Sequence, residues 1–451
     1  MSAARGEFSS RLGFILAAAG SAVGLGNIWG FPTNAASNGG AAFLLVYLVM
    51  AFCLAYPVLM AELIIGRHAK SHPVTALAGL SKVPFLSKLG ATTGYVGIVT
   101  VSLILGFYGI LAGWLLSNAV GAAAELAGMS GAATWLESMS TERSLLFTAL
   151  MMLLTVGIIV GGVHDGIEKW CSRLMPSLIL LLIAMIIYVV TLDGAAEGVR
   201  AYLVPDWGAV SDPQLLVTAM GQAFFSMSLG VGSMLLYASY VPDKGNLVSL
   251  GSSVTLMDVG IAVLAGMLII PAMYVAQYNG VQIFNEAGGL IAGDALIFQV
   301  LPALFDAMGG AGTVISLAFF VLMTIAALTS TISMLEVPVA YAVEAHDITR
   351  KRATVIISVV IFLISVVLIF NFGLLFSLVA DIATEYSQPV LGLMMCLFGG
   401  WVMHRSTVLE ELRKTDAAAE NHLFWKIWPT YVRFVCPAAI LLVFINKFYW
   451  S

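Results

Sequence analysis

Runs of more than about 18 predominantly apolar residues recur along almost the whole of this chain, each long enough to cross a hydrocarbon core of about 30 Å as a helix. They predict an all-α integral membrane protein with about 11 transmembrane helices, near 11–31, 40–66, 89–118, 144–162, 173–192, 214–240, 249–276, 313–343, 352–370, 374–403 and 429–448. Of the 451 residues, 60% are hydrophobic and 10% charged. The mean hydropathy of +0.98 lies far outside the range of soluble domains. Met1 to Arg11 leads straight into the first apolar run without a cleavage-site context, so the first helix is expected to be retained.

The basic residues are distributed unevenly between the two ends of these spans. If the N-terminus is cytoplasmic, Arg5, Arg11, Arg67, Lys70, Lys82, Lys88, Lys169, Arg173, Lys244, Arg350, Lys351, Arg352, Arg405, Arg413, Lys414, Lys426 and Arg433 fall inside, and only Arg143, Arg200 and Lys447 outside. The positive-inside rule then gives a multi-pass protein of the inner (plasma) membrane with a cytoplasmic N-terminus and an external C-terminus.

Cys53, Cys171, Cys396 and Cys436 are scattered without CxxC spacing, so neither a disulfide nor a thiolate metal site is expected. The six histidines lie in connections or at span ends, which argues against a histidine proton relay. A net charge of -5 is too small to name a partner, and no nucleic-acid partner is expected.

Two spans are interrupted. Span 1 carries Gly20-Ser21-Ala22-Val23-Gly24-Leu25-Gly26-Asn27, and span 6 carries the Gly- and Ser-rich run from Gly221 to Ser233. Non-helical backbone at membrane depth is tolerated only where it is buried in protein or lines a cavity. Half-helix N-termini offer N–H groups to an anion, and unwound carbonyls can coordinate a cation. Paired breaks in two halves of a chain point to a transport site at the midplane. The competing explanation is close helix packing through small residues.

Charged residues within spans are costly and invite a functional reading. Glu62 and Glu336 lie toward the inner edge and Asp381 toward the outer, where a solvated or locally paired carboxylate is expected; Asp258 and Glu385 sit deeper. Thr329-Ser330-Thr331 with Ser333 adds a hydroxyl cluster to span 8. Such hard oxygen ligands suit sodium, although the same hydroxyls also bond carbonyls of their own helix. Residues 296–305 read as a short outer helix, and 404–428 as a solvated, charged loop.

Together these segments resemble the neurotransmitter:sodium symporters in their bacterial eleven-span form, the leucine transporter type. The resemblance runs end to end. It is carried by Arg11-Leu12-Gly13, Gly20 to Pro32, Asn38-Gly39-Gly40, Pro57, Glu62 with Gly66-Arg67, Tyr108, Gly166-Ile167-Glu168-Lys169, Gln222 to Gly230, Tyr237-Ala238-Ser239-Tyr240 and Ala326 to Ser330. It implies one transporter domain over 1–451 with the leucine transporter fold, an inverted five-helix repeat with discontinuous helices 1 and 6. The first repeat covers 11–192, the second 214–403, and span 11 is additional at 429–448.

The same resemblance implies sodium-coupled symport of a neutral, hydrophobic or aromatic L-amino acid by alternating access, with about two sodium ions. One sodium would meet the carbonyls of Gly20, Val23 and Ala326 and the hydroxyls of Thr329 and Ser330. The other would meet the Ala22 carbonyl, Asn27, Ser226, Asp258 and the carboxylate of the substrate. The substrate pocket would be lined by Ser21, Ala22, Gly24, Gly26, Ile104, Tyr108, Phe225, Ser226, Ser228, Val231, Ser330, Ser333 and Met334. Gly24 stands where the monoamine branch carries an Asp that would pair with the ammonium of a substrate without a carboxylate, so the resemblance implies an α-amino acid.

Two departures from the family pattern alter this picture. Asp258, with Ala262 one turn later, replaces the neutral Asn and Ser beside which chloride-dependent members bind their anion, so no chloride is expected. Gly30 and Ala380 stand where an outer Arg and Asp usually pair. An inner pairing of Arg5 with Glu344 near Tyr240 is expected to be retained.

A hydrolase is disfavoured because no span interior carries His and no GxSxG elbow is placed on a strand. A channel would show a repeated carbonyl filter motif, which is missing here. A sensor would share the sequence features of a carrier.

Overall fold

The computed structural model describes residues 6–205, 207, 208, 210, 213–284, 296–308 and 310–450, and these are helical nearly throughout. Among the described residues, eight helices are long and apolar enough to cross a membrane: Ala41–Ala69, Pro84–Leu126, Thr141–Ile159, Val163–Val189, Leu247–Tyr278, Gly310–His346, Arg350–Phe370 and Leu423–Ile445. They correspond to spans 2 to 5, 7 to 9 and 11. Span 1 adds a ninth in two pieces, Arg11–Ala22 and Gly26–Ser37, bent by 56° at the break.

Spans 6 and 10 are divided into shorter pieces. Span 6 consists of Pro213–Ser226 and Ser233–Ser239, and span 10 runs through successive short helical segments over 372–402. The expected outer helix falls on Leu301–Ala307, preceded by a wide turn at Leu296–Val300. There Phe298 meets Trp29 and Trp114 edge-on, with ring centroids 6.0 and 5.9 Å apart.

The break in span 6 has identifiable backbone causes. Ser228, Gly230 and Gly232 have φ of 51, 87 and 85°, the left-handed region that a helix cannot contain. Gly230 is required twice over, because a Cβ there would also stand 2.7 Å from the backbone nitrogen of Gly392 in span 10. The half-helix that follows begins with Gly232, which has no side chain to cap it. Glu62 of span 2 takes that role from outside, accepting from Gly230 N at 2.6 Å and Leu235 N at 3.3 Å. Glu62 is thus buried and locally paired rather than solvated.

The loop at 404–428 is more built than its charge suggested. Glu411, on the helix Arg405–Arg413, is buried and pairs with the fully buried Arg67 at 3.1 Å; Lys414 and His68 complete its shell at 2.9 and 3.2 Å. Burial alone would raise the Glu411 carboxyl, but hydrogen bonds from His68 and Lys414 and the charges of Lys414 and Arg67 outweigh it and hold it at about 2 instead of 4.5. A depressed folded-state pKa contributes stability that is complete above about pH 4.5 and lost as pH falls toward 2. Glu411→Gln is therefore expected to lower thermal stability at pH 7, with the gap from the parent protein closing as pH falls through that window. A melting series in detergent checks this, and a gap constant with pH would count against it.

Candidate functional site

The two breaks meet at the centre of the bundle. Val23 leaves the helical region at φ -73°, ψ 110°, which frees the last carbonyls of the first half of span 1. Ser228 donates to one of them, Ser21 O, at 3.1 Å, offsetting the cost of its own left-handed backbone. This bond ties one break to the other.

A cavity of about 40 Å³ lies between them, lined by Ser21, Ala22, Gly24, Gly26, Ile104, Tyr108, Phe225, Ser228, Val231, Ser330 and Met334, all expected from the sequence. Leu25, Val101 and Gln388 also line it and were not expected. Gly24 leaves no space for a side chain in this arrangement, because a Cβ would collide with Ser330 Oγ and stand 2.7 Å from Tyr108 OH. The Tyr108 hydroxyl is held at the break by accepting from Leu25 N at 3.1 Å.

Two expected pocket residues lie elsewhere. Ser333 turns its hydroxyl to Ser330 O at 2.9 Å within its own helix. Ser226 points away from the cavity, donating to Asp258 Oδ2 at 2.9 Å. Asn27 joins the same cluster, with Nδ2 donating to Asp258 Oδ1 at 2.7 Å and Ser226 Oγ at 2.9 Å, while its Oδ1 accepts from Gly24 N at 3.1 Å. Asn27, Ser226 and Asp258 are almost completely buried. Three residues from spans 1, 6 and 7 therefore form one polar knot against the cavity.

A second set of oxygens gathers where span 1 crosses span 8. Ser330 Oγ donates to Val23 O at 3.2 Å and Thr329 Oγ1 to Ala326 O at 3.0 Å. A Cβ on Gly20 would stand 3.1 Å from Thr329 Cβ, so the helices approach closely there.

Beyond Phe225 lies a wider, more open cavity of about 550 Å³, lined by Gly30, Asn34, Gln222, Thr384, Glu385 and Gln388 among others. Phe225 and Gln388 belong to both cavities and form the partition between them. Where an Arg was expected to be missing, Gln222 fills the space beside Gly30, donating to Gly26 O at 2.7 Å and accepting from Asn34 at 2.9 Å. Asp381 is exposed and does not line this vestibule.

The opposite, basic end of the bundle is closed by charge and hydrogen bonds. Tyr240 OH donates to the buried Glu336 at 2.9 Å, and Arg350 pairs with the same carboxylate. Ser9 N and Ser9 Oγ donate to Glu168 at 2.8 and 2.7 Å, fastening the N-terminal segment. Gly13 allows this, because any Cβ there would overlap the Glu168 carboxylate. The expected Arg5 to Glu344 pair involves a residue outside those described; Glu344 accepts from His72 N at 3.1 Å.

The profile of the sodium:neurotransmitter symporter family matches residues 5–144 and 138–450. The chain belongs to the sodium:neurotransmitter symporter family. An uncharacterized sodium-dependent transporter of Bacillus subtilis is 34% identical over 98% of this chain and 97% of its own length. A second, from Haemophilus influenzae, is 30% identical over 99% and 98%. Among solved structures, that of MhsT in complex with L-phenylalanine superposes with a TM-score of 0.83 at 38% identity, covering 98% of this chain and 99% of MhsT. This family member is a sodium-dependent transporter with the leucine transporter fold, not an enzyme.

Proposed function

We propose that the protein carries a neutral L-amino acid with a hydrophobic or aromatic side chain into the cell together with about two sodium ions, without chloride, by alternating access. The observation that carries this reading is the buried knot of Asn27, Ser226 and Asp258 beside a cavity whose wall combines the backbone of the two breaks with hydroxyls and apolar side chains. The phenylalanine bound by MhsT supports an amino acid as cargo.

The broken backbone at Leu25 and Gly26, with the Tyr108 hydroxyl, would hold the substrate carboxylate. One sodium would be held by that carboxylate, the Ala22 carbonyl, Asn27, Ser226 and Asp258. Half a turn of the Asn27 amide presents its oxygen to the ion. Sharing a ligand makes substrate and ion each bind more favourably when the other is present, and this effect is reciprocal. The second sodium would lie among the carbonyls of Gly20, Val23 and Ala326 and the hydroxyls of Thr329 and Ser330. Phe225 would shut the vestibule side, and the Glu336 and Glu168 contacts the basic side, which we place in the cytoplasm with the N-terminus. The repeat boundaries 11–192 and 214–403, with span 11 at 429–448, belong to the same proposal.

Asp258 supplies a fixed negative charge where a bound anion would otherwise be needed. Its protonation on the return step would export a proton, a step that fails if uptake moves no protons outward. Proteoliposomes with an inward sodium gradient test the whole reading: saturable amino-acid uptake that persists in gluconate supports it, and binding without flux or current without substrate sinks it. Ser330→Ala removes one of the oxygens proposed for the second ion, and is expected to raise the sodium concentration for half-maximal uptake by about tenfold. An unchanged sodium titration would remove Ser330 from the site.

A further inference from the structure

The wall between the two cavities contains a polar group that the transport reading does not use. Gln388 is 3% exposed and lines both the central cavity and the vestibule, yet its Oε1 has no hydrogen-bond partner among the described residues. A buried acceptor without a partner is costly, and native structures keep one chiefly where something else supplies the donor.

Its position is fixed by backbone contact. Gly230 of the span 6 break packs so closely on span 10 that a Cβ would stand 2.8 Å from Gln388 O. This holds Gln388 against the span 6 break, and it lines the central cavity together with Val101, Ile104, Val231 and Met334. The same lining carries Ser21, Ser228, Ser330 and Tyr108. The lining thus combines the hydroxyls and backbone of the two breaks with apolar side chains and a single amide.

We propose that Gln388 is a specificity-determining residue, whose buried amide accepts a hydrogen bond from an O–H or N–H group on the aromatic side chain of the transported amino acid. The inference rests on the amino-acid reading above. With the carboxylate held at Tyr108, the side chain would meet the apolar lining of Val101, Ile104 and Met334 and the amide of Gln388. A ring without a donor leaves the amide buried and unsatisfied, whereas a ring with one satisfies it. A site built to hydrogen-bond a hydroxyl discriminates strongly against the analogue lacking it.

Tyrosine and phenylalanine differ by that one hydroxyl and serve as probes. Half-saturation of sodium-driven uptake in proteoliposomes is measured for each, with the parent protein and with Gln388→Met, which keeps the volume and removes the acceptor. The expected result is a preference for tyrosine of about tenfold in the parent protein, lost in Gln388→Met through weaker tyrosine uptake with phenylalanine little changed. The ratio is internal to each variant and so independent of how much protein is incorporated; Gln388→Ala provides the same ratio if the Met variant does not fold. Equal ratios in parent and variant overturn the role of Gln388 while leaving amino-acid transport standing. Sodium-driven uptake of neither probe overturns both.

Discussion

Gly24→Ala is expected to reduce sodium-driven uptake by about 100-fold, the largest effect of any single methyl group in the central cavity. The added carbon would overlap Ser330 Oγ and crowd the Tyr108 hydroxyl at 2.7 Å. Neither neighbour can retreat freely, because Ser330 is bonded to Val23 O at 3.2 Å and Tyr108 to Leu25 N at 3.1 Å. Overpacking of this kind costs about 1–3 kcal/mol. The upper end applies because relief would have to break one of those bonds, and both belong to the proposed binding apparatus. Gly260→Ala is the control: a Cβ there meets nothing within 4 Å, and alanine is the better helix former, so uptake and folding should be unaffected. Initial rates normalised to reconstituted protein provide the comparison. A Gly24→Ala protein within about twofold of the parent would mean that the cavity relaxes and that Gly24 is not a steric requirement.

Asp258→Asn should be nearly as severe in chloride-free medium, again about 100-fold. The amide is nearly isosteric with the carboxylate and can still hydrogen-bond to Asn27 and Ser226, so the change isolates the charge. In the parent protein the carboxylate accepts from Asn27 Nδ2 at 2.7 Å and Ser226 Oγ at 3.1 and 2.9 Å. Truncating one charged partner of a buried, hydrogen-bonded set typically costs about 2–5 kcal/mol. If the role of the charge is to balance sodium, the loss appears in the sodium titration and is partly reversed by chloride. Full uptake by the variant in gluconate would show that the fixed charge is dispensable.

Much of this site was legible in the sequence because its signals are local. The interruption from Gly20 to Asn27 is a contiguous run, as is the one from Gly221 to Ser233, and each helix breaks inside its run, in span 6 at the positive-φ residues Ser228, Gly230 and Gly232. The apolar runs marked out the long spans for the same reason, since a helix in lipid is defined by its own residues. Span 10 was less well defined, because its irregular helical segments preserve composition while changing which side chains share a face. There Asp381 turns outward, while Glu385 and Gln388, four and seven residues on, line the vestibule.

The sequence by itself determined that the chain is a broken-helix membrane bundle and which segments meet at its centre. Only the tertiary structure decided the side-chain partners: that Glu62 caps a half-helix 168 residues away, that Ser228 ties its break to Ser21, and that Ser226 turns to Asp258 instead of the cavity. The physical reason is that helix breaks are set by backbone conformation within a few residues, whereas a side chain's partner depends on the rotation and approach of helices far apart in the chain. Gln388 shows this most clearly: following Thr384, Glu385 and Ser387 it is one polar residue among several and carries no signal of its own, and its place in the cavity wall depends on Gly230 letting span 6 rest against span 10.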